Sequence, residues 1–527
     1  MRLTSLSAAT GRRSIGLVRP GRLLAATLFV AAALGGGRSA SGQPALPDRV
    51  SAEVPATADF SVDRLIEAVS ARSDPSQTYT LYLPPGYPGE RRWPALLVFD
   101  PRGRATFAAR LFEEGARRGG FVIVSSFDTR SDGPWDPNLK AVAALMPELV
   151  GQGPLAPRFA IDPGRVYAAG FSGGATLASV VAAGGGIAGV IVCGGPFDPG
   201  SERLVTTAQF ALAGTRDFNH WDARRADRAA EAKRLPHRFA AFDAAHAWMP
   251  AALAGEALDW LRLQASLPRP IAGSAALDDA PGAAAGEAPL ALALLEADLR
   301  RARDEEARGE TLAALRRFEA LAREAPLLAP GALAAAEAKR LRGSEGARKA
   351  LREERESEAW EDGYLHRELA LALRPVVEGE PVVEEALAQA HRVDDLRALS
   401  LRPGPRQAGA ARLLELIAVQ LGYYLPREMR ASGQAGRAAT LLAVAVRAKD
   451  GPFARYNLAC ALARAGRRKP ALEALARAVE LGFADAEQMS RDEDLASLRQ
   501  DRAFVRLLDE LRARKTTPPD AVGRPGA

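Results

Sequence analysis

Between residues 78 and 266 the chain alternates two hydrophobic patterns: short, nearly continuous apolar runs, and longer stretches with apolar positions every three to four residues. The short runs predict strands at Thr78 to Leu83, Pro94 to Asp100, Phe121 to Phe127, Arg165 to Phe171, Ile187 to Cys193, Gln209 to Ala213 and Arg238 to Phe242. The longer stretches predict helices at Thr106 to Arg118, Asn138 to Val150, Ala175 to Ala183, Trp221 to Leu235 and Ala251 to Gln264. Apolar strands without polar alternation suit a parallel sheet buried on both faces, and strand–helix alternation puts helices on both sides of it. A first domain is therefore expected over 55–266. Residues 267–288, rich in Pro, Ala and Gly, read as a linker. From 289 to 515 nearly everything reads as helix, and 516–527 reads as a disordered tail.

The helical part repeats itself. Gly309, Gly433 and Gly466 are each followed, 5, 9 and 12 residues later, by small or apolar side chains: Ala314, Phe318 and Leu321; Ala438, Leu442 and Ala445; Ala471, Leu475 and Ala478. Glycine supplies a turn, and the first alanine lets two helices approach closely. This spacing resembles the tetratricopeptide repeat. It is clearest over 452–483, weaker over 290–326, and weakest over 408–448, where Pro426 interrupts the first helix. Residues 331–407 carry no clear copy. The resemblance implies a surface for a protein or peptide partner; a generic helical bundle is the alternative.

Charge changes the picture at one end only. The chain has 70 basic and 64 acidic side chains, a net +6. Residues 1–42 hold six arginines and no acid, leaving 64 of each sign in the remainder. A neutral body offers no electrostatic footprint for nucleic acid. Arg12, Arg13, Arg19 and Arg22 precede the apolar run Leu23 to Leu34, and small residues follow up to Gly42. That is the pattern of a secretory signal, cut after Ala40 or Gly42, and it predicts an exported protein, periplasmic or extracellular. An uncleaved segment would be the one contact with a membrane. Cys193 and Cys460 have no metal-site spacing and read as small core residues.

Gly170-Phe171-Ser172-Gly173-Gly174 fits G-x-S-x-G between a predicted strand and a predicted helix. This is the setting in which a tight turn exposes a serine hydroxyl at a helix amino terminus. Bulk two residues to either side would clash, hence Gly170 and Gly174. Such a serine needs a base. Of five histidines, three fall in this domain. His237 opens a strand, so it belongs to the wrong edge of the sheet, and His220 is too close to the acid candidate. His246 follows the strand ending at Phe242, at the edge where active groups gather. Asp217, after the strand ending at Ala213, is placed to orient that imidazole; its alternative is a helix cap. Asp243 reads as a turn residue.

Ser172, Asp217 and His246 stand in α/β-hydrolase order. The phrases Leu81-Tyr82-Leu83-Pro84-Pro85-Gly86-Tyr87 and Asp243-Ala244-Ala245-His246-Ala247-Trp248 resemble secreted esterases of the polyhydroxybutyrate-depolymerase and feruloyl-esterase type over about 70–265. The resemblance implies Ser–His–Asp acyl transfer on an ester substrate, without metal or organic cofactor. One departure stands out. Where such esterases carry a His-Gly pair for the oxyanion hole, this chain has Asp100-Pro101-Arg102-Gly103-Arg104. The expected donors are then the backbone N–H of Gly173 and that of Arg102 or its neighbour, because Pro101 has none. Trp135, in the loop after another strand, is a candidate to line the substrate pocket, or else packs beneath its turn. Two other functions stay open: a serine peptidase of the same fold, and a catalytically weak protein that binds partners through its repeats.

Overall fold

A computed structural model describes residues 60–131, 134–151, 157–195, 207–267 and 287–516. The expected export segment, nearly all of the expected linker and the tail beyond 516 lie outside the described residues. The described chain divides into two compact units, 60–352 and 353–516.

The first unit is built on eight strands: β1 (Leu65–Ser70), β2 (Thr78–Tyr82), β3 (Trp93–Phe99), β4 (Val122–Ser126), β5 (Ile161–Phe171), β6 (Gly189–Cys193), β7 (Ala208–Gly214) and β8 (His237–Phe242). They hydrogen-bond in the order β1-β2-β4-β3-β5-β6-β7-β8. Only β2 runs against the others, pairing antiparallel with β1 and β4; β3 to β8 are parallel throughout. This mostly parallel sheet fits the α/β-hydrolase expectation.

Five helices cover it: α1 (Ala105–Gly119), α2 (Asp136–Val150), α3 (Gly173–Ala183), α4 (His220–Ala232) and α5 (Ala251–Ser266). Side chains alternate across the pleat. Leu96 and Val98 of β3 join Phe112 of α1 and Leu258 of α5 in one core. Ala95, Leu97 and Phe99, one position out of phase, join Leu145 of α2 and Leu177 of α3 in another. Both faces are thus sealed, which is why the central strands β3 and β6 carry no polar side chain.

The division between units does not fall in the 267–288 stretch. Helices α6 (Glu287–Ala307), α7 (Thr311–Glu324) and α8 (Ala329–Gly343) share the core of α1 and α5 through Leu295, Leu299, Phe318 and Leu341. A buried ion network pins them. The Arg238 guanidinium, on β8, donates to both Glu324 carboxylate oxygens at 2.9 and 2.8 Å and pairs with Asp298. Arg317 bridges Asp298 and Glu305, both at 2.6 Å, and the Trp260 indole donates to Glu324 at 3.0 Å. Burial opposes ionisation of Asp298, yet the Arg238 and Arg317 charges hold its carboxyl below the usual range. The boundary expected at 266 is therefore corrected. A linker-like composition reports local chain stiffness, whereas these pairings join residues far apart in sequence.

The second unit is all helical, with its own core running from Tyr364 to Leu511. Gly309 in the first unit and Gly433 and Gly466 in the second each adopt positive φ, 80°, 76° and 74°, between consecutive helices. The alanines five positions on, Ala314, Ala438 and Ala471, are all completely buried. Each glycine thus closes a helical hairpin whose second helix presses an alanine into its neighbour. Around Pro426 the helix carries a π-type turn at Gln420–Tyr424, consistent with proline breaking the i→i−4 ladder.

Candidate active site

Ser172 sits between the end of β5 and the start of α3 with φ 53° and ψ −119°, a positive-φ conformation that costs a side-chain-bearing residue about 1–3 kcal/mol. Its neighbours make that turn possible. A Cβ on Gly170 would lie 2.0 Å from the Gly174 carbonyl oxygen, and one on Gly174 would lie 2.0 Å from that of Phe99. The Ser172 N–H is fixed by the Cys193 carbonyl of β6 at 2.9 Å. The hydroxyl is thereby held at the helix amino terminus.

His246 Nε2 lies 2.9 Å from Ser172 Oγ, and His246 Nδ1 lies 3.1 and 3.0 Å from the two carboxylate oxygens of Asp217. A carboxylate only accepts, so Nδ1 carries the proton and Nε2 faces the serine as acceptor. Asp217 is fully buried and also accepts from the Asn219 N–H at 2.8 Å. The loops bearing acid and base are tied together: the Arg216 N–H donates to the Ala244 carbonyl at 2.9 Å, and the Arg216 side chain pairs with Asp243. Gly194 and Gly214 keep this space open. A Cβ on the first would meet Asp217 at 2.8 Å, and one on the second would meet the Ala244 carbonyl oxygen at 2.4 Å. The structure therefore brings Ser172, Asp217 and His246 together at the carboxyl edge of the sheet.

The other two histidines of this domain are held elsewhere. His220 lies against the Gly214 carbonyl at 3.1 Å, and His237, buried at the start of β8, lies 2.7 Å from that of Leu235. Burial, joined by the nearby Arg323 charge, pushes the His237 imidazole below its ordinary range.

Sequence reasoning missed two neighbours of the base. Phe171 and Phe218 flank the His246 ring, each with centroids 4.6 Å away. Phe218 follows the acid directly in sequence, a position that could have suggested it. Trp248, two residues past the base, packs on Phe171 at 5.6 Å.

Asp100 is a further residue that sequence reasoning passed over. Its carboxylate, fully buried, accepts the Arg102 N–H at 2.8 Å, the Arg104 N–H at 3.2 Å, two guanidinium bonds from Arg104 at 3.1 and 2.8 Å, and the Trp248 indole at 2.8 Å. Burial acts to raise this carboxyl, but these donors outweigh it and hold the group below the usual carboxylate range. The Gly103 N–H goes to the Asp100 carbonyl at 3.1 Å. Every N–H from 102 to 104 is therefore turned toward Asp100, and Pro101 has none. This bears against the expectation for Arg102, whose amide is bonded to the Asp100 carboxylate. Gly173, the first residue of α3, has an N–H without an intrahelical acceptor. Trp135 caps α2 with its side chain 36% exposed, and among the described residues it makes no ring contact; it is not brought into the triad.

Cys193 and Cys460 are both buried, in separate cores. Cys460 lies near Asp492 and Asp494, but those carboxylates are engaged by Tyr456, Arg430 and Arg464.

No protein-family model matches this chain, and no curated protein matches it. Among solved structures, a thermostable esterase aligns over 38% of this chain at 16% identity and a TM-score of 0.30; the chain spans 63% of that esterase's length. An esterase of Pyrobaculum calidifontis aligns over 40% of this chain and 86% of its own at 12% identity and a TM-score of 0.30. A ferulic acid esterase aligns over 38% and 95% at 16% identity and a TM-score of 0.29. At such low similarity the functional reading stands on the site itself.

Proposed function

We propose that this protein is an exported serine hydrolase that cleaves carboxylic esters through an acyl-enzyme. What supports the reading is one arrangement: a serine on a strained strand–helix turn, 2.9 Å from an imidazole whose other nitrogen is bonded to a buried carboxylate. In this reading His246 takes the Ser172 proton as the oxygen attacks the ester carbonyl. Asp217 stabilises the imidazolium that forms, and the same proton passes to the departing alcohol. Water then repeats the sequence on the acyl-enzyme. None of these steps calls for a metal or organic cofactor. The glycine-spaced helical hairpins are proposed to be tetratricopeptide-like and to engage a protein or peptide partner.

A fluorophosphonate probe applied to the full chain should label Ser172. Ser172→Ala should abolish that labelling and lower turnover of short p-nitrophenyl esters by roughly 10⁴-fold or more. Labelling that survives the substitution overturns the assignment.

A second reading, a catalytically weak protein acting through its hairpins, is favoured by one observation: the 102–104 amides that would hold an oxyanion face Asp100 instead. Absence of ester turnover by the full chain, with capture of a partner by the helical region, would decide for it.

A further inference from the structure

The segment that carries the base, Asp243 to Pro250 between β8 and α5, forms no helix or strand. Its place is set by what it is tied to. On the amino-terminal side of His246, the Ala244 carbonyl accepts the Arg216 N–H of the acid-bearing loop at 2.9 Å. On the carboxyl-terminal side, the Cys193 thiol, a weak donor, reaches the Ala247 carbonyl at 3.5 Å. The strong tie comes one residue later. The Trp248 indole N–H donates to Asp100 Oδ2 at 2.8 Å, and an ionised acceptor roughly doubles the strength of such a bond. Asp100 directly follows β3, so this bond fastens the base-bearing segment to the middle of the sheet. The Trp248 ring lies 5.6 Å from that of Phe171, tilted by 34°, and the Phe171 ring lies 4.6 Å from that of His246. Phe171 immediately precedes Ser172. Nucleophile and base thus meet beside one aromatic ring, and the tryptophan against that ring is held by Asp100.

We propose that Asp100 is a positioning residue for the base: by holding the Trp248 indole, it sets where His246 stands relative to Ser172. The inference rests on the hydrolase reading above. The chemistry of the acceptor fits this role. An indole N–H only donates, so the buried Trp248 needs an acceptor beside it. Both Asp100 oxygens are in use. Oδ1 takes the Arg102 and Arg104 N–H groups and Arg104 Nε, while Oδ2 takes Trp248 and a second Arg104 nitrogen. An asparagine has one acceptor oxygen and an NH2 in place of the other. It could serve the loop amides or the indole, but not both. The carboxylate therefore couples two loops, its own and that of His246.

The test is steady-state kinetics on p-nitrophenyl esters with full-length protein, alongside thermal melting. Trp248→Phe keeps a ring against Phe171 and removes the N–H. It should stay folded and lower kcat about 10-fold with KM changed by less than about two-fold, because a displaced base weakens the transition state and not the bound ester. The rate at which a fluorophosphonate labels Ser172 should fall by the same factor. Asp100→Asn should lower kcat at least as much. The double variant should stay within about two-fold of Asp100→Asn alone, because its second change removes a bond already lost. Trp248→Phe with wild-type kcat, a loss carried by KM instead, or losses that multiply in the double variant overturn the inference while leaving the Ser172 assignment intact. If Asp100→Asn does not fold, Trp248→Phe decides by itself. A wild type in which the probe fails to label Ser172 overturns both.

Discussion

The two units use the same alanine- and leucine-rich alphabet for opposite ends. In the sheet unit, buried polar groups are numerous and each is committed to a position: Asp217 to the base, Asp100 to the loop between β3 and α1, Arg238 to the helices behind the sheet. In the helical unit, order comes from size. Ala438, Ala445, Ala471 and Ala478 are fully or almost fully buried where helices cross, and apart from the buried Arg412–Glu361 pair the charges lie mainly outside the core. One unit is specified by directional bonds and fails when a partner is lost. The other is specified by volume and fails when a methyl becomes an isobutyl group.

The contrast can be broken most sharply at Arg238. Arg238→Ala leaves Asp298 and Glu324 buried without their shared cation and should cost about 3–5 kcal/mol, read by urea melts, with ester turnover falling in step with the folded fraction. Truncation near residue 270 should abolish folding for a related reason, since it bares the apolar surface that packs with α6 to α8 in one core. Soluble, active protein from such a shortened chain would show that the sheet stands without those helices.

An intermediate effect is expected at His391, fully buried beneath Tyr364 in the helical unit and an exception to its apolar character. Burial lowers its pKa to about 4 from an ordinary 6.5. The unfolded chain then binds a proton that the folded chain refuses, so stability is full above about pH 6.5 and declines as pH falls toward 4. The total loss is roughly 3 kcal/mol. Hydrogen exchange in Ala435–Ala448 across that range should show the slope, and His391→Leu should flatten it; an unchanged slope places the titration elsewhere. The smallest effect belongs to Ala471→Leu, which overpacks the hairpin by about 1–3 kcal/mol and should leave ester turnover unchanged. A loss of turnover there would contradict the independence that separate cores imply.

How far these features could be read in the sequence follows the same line. The parallel strands were legible because burial on both faces leaves continuous apolar runs such as Pro94 to Phe99. Strand β1 was not, because Leu65–Ser70 is a half-exposed edge strand with an irregularity between Ile66 and Val69. Ser172, Asp217 and His246 were legible from order and from strand ends. The hairpin glycines were legible because a left-handed turn strongly favours glycine. The Asp100 contacts were not, since which way an amide points depends on a carboxylate's rotamer and on Trp248, 148 residues away. The placement of α6 to α8 was hidden for the same reason: the Arg238–Glu324 pair spans 86 residues.

The two phenylalanines around His246 carry a consequence for timing. A ring with two aromatic neighbours at 4.6 Å has less room to swing away, so in the proposed reaction the imidazole stays in register while one leaving group departs and water arrives. Aromatic faces also welcome positive charge, so the grip tightens at the moment the ring is protonated. Phe171 and Phe218 would thus act as a spring-loaded bearing, loosest at rest and firmest halfway through each half-reaction.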